Sequence, residues 1–503
     1  MQDAHGSFYI PDSHRDTGRG AESAESCCQG PAIATTTPDP DSPISGGSAA
    51  GGLDHRTIDA SLARSIAWTG LAKGLSQALS WASTLIVARL LTPADYGLVG
   101  MATLFFWAIQ SLGEFGLGAA IIKDRTLSDE QIAQVNSVSV LFGLASTAVV
   151  VAAAGPLAVF FATPELHRVV LVTSLTFLVS GFRTVPSALL QRELRFKRLA
   201  ANDTLQAVTQ AATALVLAIL GFGYWSLVVS ALLGTLASTA GLVAARPFRF
   251  ALPRDATIRG VTTMGREVVL ARFGWYAMFN ADFLVAGKLL GKAPLGNYSF
   301  AWTLASLPVE KVSLLVTRVS LPFFSAVQEK SASLRRYLLA MTEGLALVTF
   351  PAAIGIGLLA EDVVRIALGP EWTGAVAPLR ILAFVAPLRS VATLLPQMTT
   401  VIGATRFGMW HAVGSAVVMA AGFLVGSRWG TGGIALAWVI AYPLALLPLL
   451  RLILATLECR VRDYAGALAP ALVGSVLMTA VVLAVGAGLE GWGWRAAIRL
   501  PLQ

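Results

Sequence analysis

From Ser61 onward the chain alternates apolar stretches with short polar turns, and the stretches run to about 20 residues or more, the helical length that crosses a hydrocarbon layer roughly 30 Å thick. Inside such a layer every backbone N–H and C=O must find its partner within the protein, which helices achieve segment by segment. The stretches therefore predict membrane-spanning helices over residues 65–90, 97–122, 135–161, 169–190, 200–220, 222–244 and 267–290, and then over 295–323, 337–360, 378–402, 407–427, 431–456 and 464–488. Only 13% of the 503 residues are charged, against about 25% in a soluble globular chain. No hydrophilic stretch is long enough for a large aqueous domain. The fold class is all-α, a polytopic membrane protein.

Residues 1–60 differ from the rest: Gly, Ser, Pro, Thr and Asp dominate, as in the run Thr35 to Ser48, and no hydrophobic period appears. They read as a disordered cytoplasmic tail, or as sequence ahead of the true start. Cys27 and Cys28 have no apolar segment before them, so they are not a lipoprotein signal. With Cys459 they form neither a disulfide framework nor a metal spacing. No cleavable signal peptide is visible, and nothing calls for a cofactor.

The net charge of +8 sits in short loops, which argues for topology rather than nucleic-acid binding. Taking the N-terminus as cytoplasmic, the inner loops hold Lys123, Arg125, Arg192, Arg195, Lys197, Arg198, Arg246, Arg249, Arg254 and Arg259. Lys330, Arg335, Arg336, Arg406, Arg451, Arg460 and Arg462 follow, making 17. The alternate loops hold 6: Arg89, Arg168, Lys288, Lys292, Arg365 and Arg428. Positive charge is retained inside, so this count predicts an inner-membrane protein with a cytoplasmic N-terminus.

Two segments 199 positions apart (284 − 85) align without a gap. Leu85 to Ala102 reads LIVARLLTPADYGLVGMA and Leu284 to Ala301 reads LVAGKLLGKAPLGNYSFA. Leu85/Leu284, Leu90/Leu289, Leu91/Leu290, Ala94/Ala293, Gly97/Gly296 and Ala102/Ala301 are identical, and Arg89 stands against Lys288. Further on, Pro186 with Arg195-Phe196 parallels Pro396 with Arg406-Phe407, and Gly223 parallels Gly432. The order suggests two six-helix bundles with pseudo-symmetry, over 61–245 and 246–457, then residues 458–503 as an additional transmembrane helix and tail. Repeats of this kind are characteristic of transporters whose halves rock around a site near the bilayer midplane; a duplicated scaffold without transport is the alternative.

The stretches ARLLTPADYGLVG, EFGLGAAIIKDRTLS, PSALLQRELRFKRLA and GYWSLVVSALLG, in that order, resemble the polysaccharide transporter branch of the multidrug/oligosaccharidyl-lipid/polysaccharide exporter superfamily. The likeness is to the Wzx-type flippases and covers roughly residues 62–480. The resemblance implies two six-helix bundles around a central cavity, plus one or two C-terminal helices. It also implies a substrate: an oligosaccharide repeat unit on a polyprenyl pyrophosphate, carried from the inner to the outer leaflet by alternating access. Membrane lipids, a coupling ion (proton or sodium), and a polysaccharide polymerase with export proteins complete the expected partners. Thirteen spans depart from the family's commoner even number, which leaves the C-terminal topology open but not the two core bundles.

Such a headgroup cannot cross hydrocarbon alone, because unsatisfied polar groups are costly there. A cationic path between the halves is expected, and ionisable groups inside spans are its candidates. Arg183, Arg272, Lys311, Arg318 and Arg389 are the candidate substrate-path residues, while Glu114, Asp282 and Glu310 are candidates for ion pairing or coupling. Substrate-facing and structural ion-pair roles stay open for the cations. Asp282 reads as a partner of Arg272 or as an acid that titrates during coupling. Arg89, Lys288 and Arg380, near helix ends, read as snorkelling to headgroups. The Arg192, Arg195, Lys197, Arg198 cluster reads as a topology determinant or as a gatherer of anionic lipid.

An enzyme acting on lipid-linked sugars would need a sizeable outer loop with catalytic groups, and no outer loop here exceeds roughly 17 residues. A transporter, not an enzyme, is expected. A drug/cation antiporter would favour an acidic cavity, whereas cations prevail in these spans. A peptidoglycan-precursor flippase stays open, since its substrate is also a polyprenyl pyrophosphate. A non-transporting receptor or scaffold is the least supported reading.

Overall fold

Ser128 opens one of the long helices with a reciprocal cap. Its Oγ accepts from the Gln131 N–H, and its own N–H donates to Gln131 Oε1 at 2.9 Å, satisfying two backbone donors that a helix start leaves unpaired. Helices follow one another throughout the residues that the computed structural model describes: 74, 77, 80–113, 118, 121–122, 127–252 and 266–491. The predicted tail, 1–60, lies outside them.

The helices are α1 (residues 80–90), α2 (Pro93–Gly113), α3 (Asp129–Phe160), α4 (Glu165–Arg192), α5 (Phe196–Ile219), α6 (Trp225–Ala245) and α7 (Arg266–Leu289). They continue with α8 (Lys292–Ala326), α9 (Ser331–Leu358), α10 (Ala360–Ala367), α11 (Val376–Ala392), α12 (Leu395–Val401), α13 (Thr405–Gly426), α14 (Gly430–Thr456) and α15 (Val461–Gly491). No strand occurs among the described residues. Seven described stretches are long and apolar enough to cross a membrane, and the Thr405–Thr456 stretch holds two helices. Apolar side chains such as Leu141, Val149, Val476 and Leu477 face outward. A soluble monomer rarely exposes so large an apolar surface, and a bilayer requires it. The chain is an all-α, multi-pass membrane protein.

The stretch 378–402, expected as one span, is two helices. The chain turns at Thr393 and Leu394, and Pro396 stands in the first turn of α12. Proline is tolerated there, because a first-turn N–H has no helical partner to lose. Within the chain, α3 packs on α4, α4 on α6, and α5 on α6; later, α7 packs on α13, α13 on α14, and α11 on α8, α9 and α14. The helix α2 joins these two sets through α8 and α7. On the periphery, α15 lies against α9.

The contact between α2 and α8 has an unusual form. A Cβ built on Gly97 would lie 1.7 Å from the Lys292 carbonyl oxygen, and one on Gly296 would lie 1.7 Å from the Pro93 carbonyl oxygen. Position 97 maps to 296 and position 93 to 292 at the same offset of 199 that relates the sequence repeat. Each helix therefore presents the same backbone patch to the other, which is the relation a local two-fold axis produces. Only glycine admits such an approach.

Cations repeat the pattern at the same end of the helices. Arg89, at the end of α1, donates from Nε to the Ala367 carbonyl at 3.1 Å and from a second nitrogen to the Ile366 carbonyl, at the C-terminus of α10. Lys288, its equivalent on α7, donates to the Phe160 carbonyl at the C-terminus of α3 and lies 4.7 Å from the Phe160 ring centre. A cation at a helix C-terminus meets unpaired carbonyls and the negative end of the dipole. Lys292 pairs with Glu165 at 3.1 Å, and Trp372 Nε1 donates to the Ala88 carbonyl at 2.9 Å. Arg380 pairs with Glu361 at 3.2 Å. These helix-end cations bind protein groups as well as reaching the surface.

Candidate functional site

The motif TPADYG builds the start of α2. The Asp95 carboxylate accepts from the Thr92 N–H at 3.0 Å and from the Thr92 hydroxyl at 2.7 Å, while its other oxygen accepts from the Tyr224 N–H at 3.2 Å. One aspartate thus caps its own helix and ties it to the GYW turn that begins α6. Gly223 takes φ +53° in that turn, directly beside Asp95. Tyr96 stacks edge-on against Phe300 and Trp372. These motif residues hold α2 and α6 in place, and that positions the walls of two cavities.

The first cavity, about 680 Å³, lies among α2, α4, α5 and α6. Its wall on α4 carries Thr173, Thr176, Ser180, Thr184, Ser187 and Gln191, spaced by three or four residues and therefore on one helical face. Arg183 joins them, its Nη1 3.4 Å from Gln206 Oε1. The second, about 620 Å³, is walled by Ser80, Ser83 and Thr84 of α1, Asp203 of α5, Ser230 of α6 and Ser299 of α8. The two share Thr103, Gln206, Gln210 and Ala231, so the Gln206 and Gln210 side chains stand where they adjoin.

A different arrangement occupies the C-terminal helices. Asp282 of α7 is fully buried, and its Oδ2 accepts from the Tyr298 hydroxyl at 2.7 Å and from Trp438 Nε1 at 3.0 Å. Arg389 of α11, also buried, donates to the Ser306 hydroxyl at 3.1 Å. Its guanidinium lies 3.8 Å from the Trp302 ring centre and 5.5 Å from that of Trp438. Phe279 stacks on both Trp275 and Trp438. A cation over indole faces gains from the ring quadrupole most where water is absent. The acid and the cation share Trp438, and aromatic rings fill the space around them.

Of the predicted site residues, Arg183 lines a cavity, and Asp282 and Arg389 meet around Trp438. Lys311 is exposed and donates to Gln77 Oε1 at 3.2 Å, and Glu310 is exposed beside it. Arg272 and Arg318 lie on α7 and α8, but their side chains fall outside the described residues, as does Glu114. Ten helical residues, about 15 Å of rise, separate Arg272 from Asp282. The described partners of the Asp282 side chain are Tyr298, Trp438 and the Phe283 N–H. A search for intramembrane charges passes over Thr, Ser and Gln. The α4 polar stripe carries a signal of its own, hydroxyls recurring at helical spacing within an apolar span.

Helices with an apolar outer surface around cavities that carry a stripe of hydroxyls and carboxamides belong to a class, the multi-pass membrane transporters. Residues 86–377 match the model of the family described as polysaccharide biosynthesis protein, and the chain belongs to that family. It is 24% identical to the lipopolysaccharide biosynthesis protein WzxC of Escherichia coli (strain K12), over 64% of this chain and 66% of that one. It is 26% identical to the succinoglycan biosynthesis transport protein ExoT of Rhizobium meliloti (strain 1021), over 76% and 78%. The fold is similar to that of the lipid II flippase MurJ in an inward closed conformation, with TM-score 0.68, 14% identity, and coverage of 83% of this chain and 92% of MurJ. An inward-facing multidrug resistance transporter of the MATE family gives TM-score 0.61 at 17% identity, over 76% and 95%. Family and relatives are transporters rather than catalysts.

Proposed function

We propose that the protein is a flippase that moves a polyprenyl-pyrophosphate-linked oligosaccharide from the inner to the outer leaflet of the cell inner membrane. The observation that carries this reading is a cavity of about 680 Å³, bordered by hydroxyls and carboxamides of α4 and α5, among helices whose outer surface is apolar. Such a cavity shelters a hydrophilic head from hydrocarbon while an isoprenoid tail stays in lipid. The resemblance to ExoT and WzxC, whose names concern succinoglycan transport and lipopolysaccharide biosynthesis, supports polysaccharide precursors as the cargo.

In this reading residues 61–245 and 246–457 are the two halves, and the reciprocal Gly97/Gly296 contact lies on their pseudo-two-fold axis. The loop charges put the N-terminus in the cytoplasm. The end bearing Arg89, Lys288 and Lys292 then faces outward, where these residues fasten the halves together. Transport alternates between this fastened state and one in which those contacts part. Arg183 meets the headgroup in the cavity. Asp282, buried with Arg389, is the acid assigned to coupling with a proton or sodium ion.

Deleting the gene tests the reading. Lipid-linked repeat units should accumulate on the inner leaflet and surface polysaccharide should fall, with recovery on complementation. Normal surface polysaccharide, or accumulation of a lipid-linked peptidoglycan precursor instead, would overturn the assignment.

A further inference from the structure

The two cavities carry little charge. Among their described lining residues, Arg183 and Asp203 are the ionisable side chains apart from the Tyr96 phenol, and the two charges offset each other. Hydroxyls and carboxamides make up the rest of the polar lining. A pyrophosphate in a water-poor cavity calls for several cations or a dense set of N–H donors. A sugar ring calls for something else: paired donors and acceptors without net charge.

The lining offers these. The hydroxyls of Thr176, Thr184 and Thr235 donate to carbonyls of their own helices, on Thr173, Ser180 and Ala231. What each retains for the cavity is acceptor capacity on oxygen. Gln206 and Gln210, one turn apart on α5, carry NH₂ groups that supply donors beside them. A sugar hydroxyl both donates and accepts, and finds each partner on adjoining walls. The volume of each cavity also lies within the range of about 300–1,000 Å³ usual for small-molecule pockets.

We infer that these cavities form a subsite for uncharged sugar rings, with Gln206 and Gln210 as its specificity-determining residues and the pyrophosphate held outside it. The inference rests on the flippase reading and narrows the headgroup to a glycan with neutral residues at this position. It assigns Arg183 to orienting Gln206 through the 3.4 Å contact, in addition to any anion it meets.

The experiment uses the full chain in proteoliposomes and three probes: polyprenyl pyrophosphate alone, the same lipid carrying a neutral tetrasaccharide, and the same lipid carrying a tetrasaccharide with hexuronic acids. The variant Gln206→Met with Gln210→Met keeps side-chain volume and removes the amides. Its thermal unfolding is measured alongside, and the single variant Gln210→Met serves if the double variant does not fold. The wild type should prefer the neutral glycan lipid to the acidic one. The variant should bind the neutral glycan lipid at least tenfold more weakly and bind the bare lipid unchanged. Equal weakening toward the bare lipid, no weakening at all, or a wild-type preference for the acidic glycan overturns the inference and leaves the flippase reading standing. Failure of the wild type to bind any of the three overturns the flippase reading itself.

Discussion

Tyr298 and Trp438 each direct a polar hydrogen at one oxygen of Asp282, in a place with no exposed surface. A buried donor left without an acceptor costs about 1–3 kcal/mol. Asp282→Ala strands the Tyr298 hydroxyl and leaves Trp438 Nε1 with the Tyr298 oxygen at 3.1 Å as its acceptor, so the expected loss of stability is about 2–3 kcal/mol, read as a lowered unfolding temperature of the detergent-purified protein. Asp282→Asn keeps an acceptor oxygen and should lose under about 2 kcal/mol. Transport separates the two roles: if the acid titrates, Asp282→Asn stops flipping in an otherwise folded protein. Arg389 stands on different physics. Its flat guanidinium covers Trp302, a geometry lysine does not reproduce. Arg389→Lys should therefore destabilise by about 0.5–2 kcal/mol in the same measurement, although the charge is conserved.

At the scale of helices, the reciprocal contacts at one end of the bundle make a specific demand. Gly97→Ala drives a methyl into the Lys292 carbonyl, and Gly296→Ala does the same at Pro93. Each should cost about 1–3 kcal/mol by overpacking. Because both act on one crossing, the double variant should lose less than the sum of the two, as an unfolding cycle on the four proteins will report. Arg89 and Lys288 are exposed, and each should add only about 0.3–1 kcal/mol as a helix cap. Their joint replacement by alanine should act on access instead. With the native cysteines replaced, a cysteine at Ser299 in the cavity wall should react faster with a membrane-impermeant maleimide applied from outside. An unchanged rate would mean that these caps do not hold that end closed.

For the whole molecule, the order of spans was legible because apolar length and short turns leave a membrane chain few options. The predicted stretches 135–161, 222–244 and 431–456 return as α3, α6 and α14 with ends shifted by a few residues. The break at Thr393 and Leu394 was not legible, since Pro396 is as compatible with a kink as with a fresh helix start. The candidate site was legible only in part. Charges inside spans draw attention, and they led to Arg183, Asp282 and Arg389. Nothing in the sequence tells that Arg389 is covered by indoles while Arg183 edges a hollow, because those surroundings come from helices far apart in the chain. The contrast sets Arg183, beside a cavity walled largely by α4, α5 and α6, apart from Arg389, packed among the aromatic rings of α8 and α14. Orientation is tested at this scale by reporter fusions: an alkaline phosphatase fused after Lys197 should be inactive, and one fused after Thr163 active. The reverse pattern would invert the topology.

The crossing of α2 and α8 lies within the first two turns of each helix, and beyond the glycines α8 runs for 30 residues (326 − 296) and α2 for 16 (113 − 97). At 1.5 Å per residue these are arms of about 45 Å and about 24 Å. A fulcrum so near the short end of a long lever multiplies small rotations. A tilt of about 10° at the glycines sweeps the remote tip of α8 through about 8 Å and that of α2 through about 4 Å. With main chain touching main chain at Gly97 and Gly296, a rotation there needs no side-chain repacking at the point of contact, and every couple of degrees carries the remote tip of α8 by more than about an ångström.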